Sequence, residues 1–206
     1  MQQTLLDAAA RAVRVMVEDS IKQTPQEGMV VIADADSSLS RTLCAAYTEA
    51  YPWAEVWAWD PELFPAEEVR RRFQKLAKGT LVVLVQSTSF RLDAFRIRLE
   101  LFARGLRTIE HVHLGRMTEP DEQLRYLEGC SYGASHFTTQ ANAISEVVKK
   151  AQQLALVSRG GEKLVWDTLL EDPKQNTGNY AGMVNVGGTF PVGEVFTEGR
   201  DLARVN

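Results

Sequence analysis

The chain has 206 residues, 45% of them hydrophobic and 24% charged, with a formal net charge of −4. That length holds one large domain, or one domain and part of another, with a core that needs no covalent staples. The acidic balance argues against a nucleic-acid binder, which presents a basic face, and two cysteines, Cys44 and Cys130, make no disulfide framework and point to a reducing compartment.

In chain order, the amino terminus carries neither the basic nor the apolar region of a signal peptide, and no stretch is apolar enough to span a bilayer. The expectation is a cytoplasmic protein with no membrane partner. Residues 4–22 read as an amphipathic helix, with Leu5, Ala9, Val13, Met16 and Val17 at helical spacing. Pro25, Gln26, Glu27 and Gly28 break it. The apolar run 29–33 suits a strand buried on both faces of a parallel sheet. Asp36 or Ser37 then caps a helix bearing Leu39, Leu43, Ala46, Tyr47 and Ala50. Residues 54–59 alternate as a second strand. Trp53, Trp57, Trp59 and Phe64 cluster around it, and core or edge packing accounts for them better than a pocket or dimer face.

After a loop at 61–65, Val69, Phe73 and Leu76 mark a helix ending near Gly79. Arg70, Arg71 and Arg72, preceded by Glu67 and Glu68, read as its solvated face. Residues 81–85 form a third buried strand. Leu92, Phe95, Leu99 and Phe102 trace a helix closed by Gly105. Residues 108–114 predict a fourth strand, and 120–128 and 138–157 two further helices.

This alternation defines an α/β fold, an open and mainly parallel sheet with helices on both faces, assigned to residues 1–158. The character then changes. A strand at 163–170, a turn-rich stretch at 173–180 and a return strand at 183–186 predict the β-rich start of a second domain, residues 159–206.

Residues 187–198 read Gly-Gly-Thr-Phe-Pro-Val-Gly-Glu-Val-Phe-Thr-Glu. Two glycines and a proline imply a tight, irregular backbone. Glu194, rigidly held beside Gly193, is placed to bind a hard or borderline cation; a β-turn followed by an exposed glutamate is the competing account. The stretch Gly193, Glu194, Val195, Phe196, Thr197 resembles the motif around the first metal-binding glutamate of the thermophilic metalloaminopeptidase family (aminopeptidase T, aminopeptidase S and leucyl-aminopeptidase-like relatives). Pro191 stands three residues before Glu194, as in the family, and Thr189 replaces the family's asparagine. The upstream α/β region is similar in general form to the family's N-terminal domain.

The resemblance implies a metal-dependent aminopeptidase-like hydrolase acting on peptides. It implies two divalent ions (zinc, cobalt or manganese), a metal-activated water attacking an N-terminal peptide bond, and Glu194 as the first metal ligand. The family's further carboxylate and histidine ligands come after this motif, whereas only residues 195–206 follow Glu194 here. One carboxylate does not hold a dimetal centre. The expectation is therefore an N-terminal fragment or truncated form, inactive alone, whose open β-segment favours homo-oligomers.

Two other readings stand beside it. One is a non-catalytic binding or assembly module of the same fold. The other is a haloacid dehalogenase-like phosphohydrolase: Asp34 and Asp36 follow an apolar strand, Ser87 and Thr88 follow another, and Lys149 or Lys150 and Glu171-Asp172 come later. Asp34 and Asp36 serve equally as helix-capping residues, and Glu171-Asp172-Pro173 as a turn. A dinucleotide site lacks its Gly-x-Gly-x-x-Gly turn. His111 and His113, two apart on a strand, share a face and form either a metal pair or structural side chains. His136 reads as a lone loop histidine.

Overall fold

Long buried runs and their capping residues set the order of the elements. The computed structural model describes residues 2–60, 65–93, 95–166, 170–183, 187–198 and 204–205. In chain order these form α1 (Gln2–Arg14), a π-helical turn (Val15–Ile21), β1 (Met29–Ala33), α2 (Ser38–Ala50), β2 (Glu55–Ala58), α3 (Ala66–Gln74), β3 (Leu81–Val85), β4 (Arg91–Leu92), β5 (Phe95–Arg96), α4 (Ile97–Ala103) and β6 (Arg107–His111). There follow α5 (Pro120–Cys130), α6 (Ala134–Lys150), β7 (Leu154–Val157), β8 (Lys163–Trp166), β9 (Lys174–Asn176), β10 (Gly187–Thr189), β11 (Glu194–Phe196) and β12 (Arg204–Val205).

The architecture is the expected α/β one, followed by a β-rich region. Five strands in the order β10-β6-β3-β1-β2 pair in parallel throughout. Every residue of β1, β3 and β6 is buried, as strands covered on both faces must be. One face carries Val30, Ile32, Val82 and Leu84, packed with Val69 and Phe73 of α3 and Ile97 and Leu101 of α4. The other face lies under α2, and α1 packs against both α2 and α5. Helix α2 starts where foreseen: Ser37 accepts from the Ser40 amide (3.1 Å), and the Ser40 hydroxyl accepts from the Ser37 amide (3.3 Å).

Several local expectations shift. The helix traced through Leu92 and Leu99 begins only at Ile97; Leu92 lies in a short hairpin, and Leu99 faces solvent while Ile97 and Leu101 are buried. The long helix expected at 138–157 runs from Ala134 to Lys150, and Leu154–Val157 instead pairs antiparallel with β8. Apolar residues continue at helical spacing past the helix end, although Ile144 and Val147 are exposed. The fourth strand stops at His111. Arg70 is no solvated cation, being gripped by Asp93 (2.7 Å) and Glu100 (2.8 Å). The expected strand at 163–170 is seen as β8, with 167–169 outside the described residues. Phe64, most of the loop at 61–65 and most of the return strand at 183–186 also lie outside them.

The chain divides into two compact units, residues 1–133 with 178–192, and residues 134–177 with 193–206. This differs from a single boundary at 158, because α6 belongs to the second unit and residues 178–192 return to the first as β10. The second unit holds α6, a three-stranded antiparallel sheet β12-β8-β7 and the antiparallel pair β11-β9.

Candidate functional site

Residues 187–198 divide between the two units. Gly187 and Gly188 were expected in an irregular bend, yet they lie in β10, parallel to β6. Their lack of a side chain permits close approach: a Cβ on Gly187 would meet the Thr108 carbonyl oxygen, and one on Gly188 the Tyr180 ring. The Phe190–Pro191 peptide is cis. Phe190 and Val192 are buried, and Val192 packs on Gly178.

Glu194 opens β11, directly opposite Asn176 of β9. Gly193 before it has φ +108°, a left-handed conformation that favours glycine. A Cβ there would come within 2.5 Å of the Phe137 ring. The Gly193 amide donates to the Asn176 carbonyl (2.9 Å), and the Asn176 side-chain amide donates to Glu194 Oε2 (3.3 Å). The Glu194 carboxylate is thus anchored on one side and open to solvent on the other. Glu194 does not make a metal centre by itself and offers one carboxylate ligand: its polar neighbour is a neutral amide presenting N–H. Among the described residues no group of three or more His, Cys, Asp and Glu side chains is placed to hold an ion.

The other sequence candidates fall into two closed networks in the first unit. At the carboxyl ends of β1 and β3, where ligands bind in many open α/β sheets, Asp34 is buried and already engaged. It accepts from the Ser87 amide (2.7 Å), the Ser87 hydroxyl (2.6 Å) and the Asp36 amide (3.3 Å). The Ser87 hydroxyl also lies 2.9 Å from Ser37 Oγ and 3.2 Å from Ser40 Oγ. This is the hydrogen-bonding a buried carboxylate requires, and it gives Asp34 a structural task in place of a nucleophilic one. Asp36 and Thr88 are exposed. Lys149 pairs with Glu146 on its own helix.

The second network centres on His111. Its ring is buried between Tyr47 Oη (3.0 Å from Nε2) and Tyr126 Oη (2.7 Å from Nδ1). Tyr126 donates to the Phe190 carbonyl (3.2 Å), so its oxygen is left to accept the Nδ1 proton. Nε2 then accepts from Tyr47, and all polar atoms of the triplet are satisfied with a neutral imidazole. Burial lowers the His111 pKa to about 3 and pushes the Tyr47 and Tyr126 hydroxyls well up. Cys130, beside Tyr126, is raised to about 12 by burial. His113 does not share the strand face with His111, because the strand has ended and His113 sits at φ +59°. His136 lies in α6 and not in a loop, 3.0 Å from Gln140 Nε2. Sequence spacing could not have found the tyrosine partners, which come from α2 and α5.

A cleft of about 780 Å³ opens beside β2, between that strand and α2, lined by Asp36, Arg41, Cys44, Thr48, Glu49 and Val56 among others. No helix among the described residues is long and apolar enough to cross a membrane.

No family profile matches the chain, and no curated protein is significantly similar to it. A solved structure, wild-type AmpT from Thermus thermophilus, is similar with a TM-score of 0.47 and 16% identity, over 98% of this chain. The chain spans 63% of the length of that protein.

Proposed function

We propose that this chain is a metal-dependent aminopeptidase-like hydrolase in which Glu194 is a prospective metal carboxylate, with no cluster of three or more metal-ligating side chains among the described residues. The single observation behind this reading is how that carboxylate is presented. A left-handed glycine packed on Phe137 and a cross-strand Asn176 hold Glu194 at the head of β11, with one side free. That is the rigid display a metal ligand needs, in a stretch similar to the metalloaminopeptidase glutamate motif. Divalent ions (zinc, cobalt or manganese) and a peptide substrate belong to the whole hydrolase in this reading.

A calorimetric titration of the chain with Zn²⁺, Co²⁺ and Mn²⁺ tests it, beside Glu194→Gln. The expected result is a weak site that disappears in the variant, with no hydrolysis of aminoacyl-anilides by either. Identical titrations for the two proteins would sink the assignment. A second reading, a non-catalytic binding or assembly module, is favoured by the absence of any three-donor cluster among the described residues.

A further inference from the structure

A second cleft, of about 560 Å³, lies at the amino ends of β3 and β6, the end of the sheet opposite the Asp34–Ser87 network. Its walls come from the carboxyl ends of α3 and α4 and the loops that follow them, all within the first unit. The Gly79 amide donates to the Gly105 carbonyl (3.0 Å) and the Arg107 amide to the Thr80 carbonyl (3.1 Å), so the two loops are tied together and the cleft is preformed. Its volume falls in the range of small-molecule sites, about 300–1,000 Å³. Phe73, Leu76 and Ala103 supply an apolar wall, and Lys78 and Arg104 supply charge. No carboxylate among the described residues lines it, in a chain whose net charge is −4.

The two cations are not consumed by the fold. Lys78 is exposed and makes no ion pair among the described residues. The Arg104 Nε is buried without a hydrogen-bond partner, and Glu100 Oε2, 3.7 Å from Nη2, is beyond hydrogen-bond reach. Glu100 is held instead by Arg70, whose Nε donates to its Oε1 (2.8 Å). Backbone amides, not these side chains, serve the nearby helix-end carbonyls: Arg104 donates to Leu101 (3.1 Å), Gly105 to Phe102 (3.0 Å) and Leu76 to Phe73 (3.2 Å). A shielded guanidinium N–H left unpaired costs free energy, and the Arg104 side chain gives up no hydrogen bond when it turns into the cleft it lines. Its Nε–H and Nη2–H form the side-on edge that matches the two oxygens of a carboxylate. The larger cleft beside β2 differs, because its Arg41 is bound to the Ala35 carbonyl (2.5 Å) and Asp36, Glu49 and Asp60 line it.

We propose that this cleft binds a small organic carboxylate with an apolar body. The carboxylate sits on the Nε–Nη2 edge of Arg104, with Lys78 as a second positive charge, and the body lies against Phe73, Leu76 and Ala103. Each half of the ligand is selected by a different wall. The paired N–H groups favour a planar anion over a neutral head group, since charge-assisted bidentate hydrogen bonds are the stronger ones. The apolar wall favours a ligand that brings hydrocarbon surface out of water over a bare anion. The lining holds no nucleophile and no carboxyl, imidazole or thiol group to move a proton, so the ligand is bound and released unchanged.

Calorimetric titration of the full chain with 4-phenylbutyrate, in the absence of divalent ions, tests the site. One-to-one binding with a Kd below about 1 mM is expected. The alcohol 4-phenylbutan-1-ol, which keeps the body and lacks the charge, should bind at least about tenfold more weakly. Arg104→Lys, which keeps the charge and removes the paired N–H edge, and Lys78→Gln should each weaken binding by about fivefold or more, with unchanged far-ultraviolet spectra. Lys78 is exposed, so its variant carries the test even where Arg104→Lys disturbs the fold. Absence of saturable binding overturns the proposal, as does equal affinity for the alcohol. Acetate or inorganic phosphate binding as tightly as 4-phenylbutyrate, or a folded variant of either residue binding as the wild type does, overturns it as well. Glu194→Gln should bind the probe unchanged, so the outcome is independent of the metal titration.

Discussion

Acidification should destabilise this protein through one imidazole. His111 is fully buried, and its pKa is lowered to about 3 from 6.5. A histidine depressed in this way contributes no pH dependence above about pH 6.5, where folded and unfolded chains are both neutral at this site. As the pH falls below 6.5, only the unfolded chain takes up the proton, and stability drops by about 1.4 kcal/mol per pH unit until the folded pKa is reached. Between pH 7 and pH 5 the loss is about 2 kcal/mol, and by pH 3 it is about 4 kcal/mol. Urea unfolding at pH 7, 6 and 5 measures the slope. His111→Gln supplies the control: it retains a hydrogen-bonding side chain between Tyr47 and Tyr126 but does not titrate. The variant should be less stable at pH 7, yet lose about 2 kcal/mol less on going to pH 5 than the wild type. His113, His136 and the carboxylates are common to both proteins and cancel. Equal losses in the two would show that His111 takes up its proton in the folded state, and the neutral Tyr47–His111–Tyr126 network would be refuted.

Asp34→Asn should cost about 3 kcal/mol by urea unfolding, since the Ser87 amide and hydroxyl would lose a charged acceptor in a buried site; a change under about 0.5 kcal/mol, the size of an ordinary surface substitution, would contradict the assigned role. The thiols should differ in reach. Cys44 is half-buried and Cys130 buried with its pKa raised to about 12, so Ellman's reagent at pH 8 should modify Cys44 slowly and Cys130 only as the protein unfolds. Rapid release of two equivalents from the native chain would contradict the burial of Cys130.

What could be read from the sequence were signals local to a few residues. The runs at 29–33 and 81–85 declared two buried strands because no polar residue interrupts them, and Ser37 declared a helix start because its side chain caps an amide three positions on. The helix end near 150 was harder. Leu154 and Ala155 continue the helical spacing of Ile144 and Val147, and only their pairing with Trp166 and Val165 makes them a strand. Arg70 shows the same limit: nothing in Glu67 to Arg72 reveals an Asp93 and a Glu100 waiting for its guanidinium.

The segment 187–198 puts the two kinds of information side by side. A glycine is needed either for a backbone angle or for space, and composition does not say which. Gly193 is needed for both, at φ +108° and packed on the Phe137 ring. Gly187 and Gly188 are needed for space, against Thr108 and Tyr180, so a bend foreseen from two glycines is a strand. The same division applies to the acids. Asp34 follows a strand as a nucleophile would, but its two oxygens are taken by Ser87 from the loop after β3. Glu194 is steadied by a single amide from Asn176 and keeps an open side. Of Asp34 and Glu194, the buried one is already engaged by hydrogen bonds within the fold. The exposed one keeps coordination capacity to spare, which is why the metal titration is aimed at Glu194 and the stability measurement at Asp34.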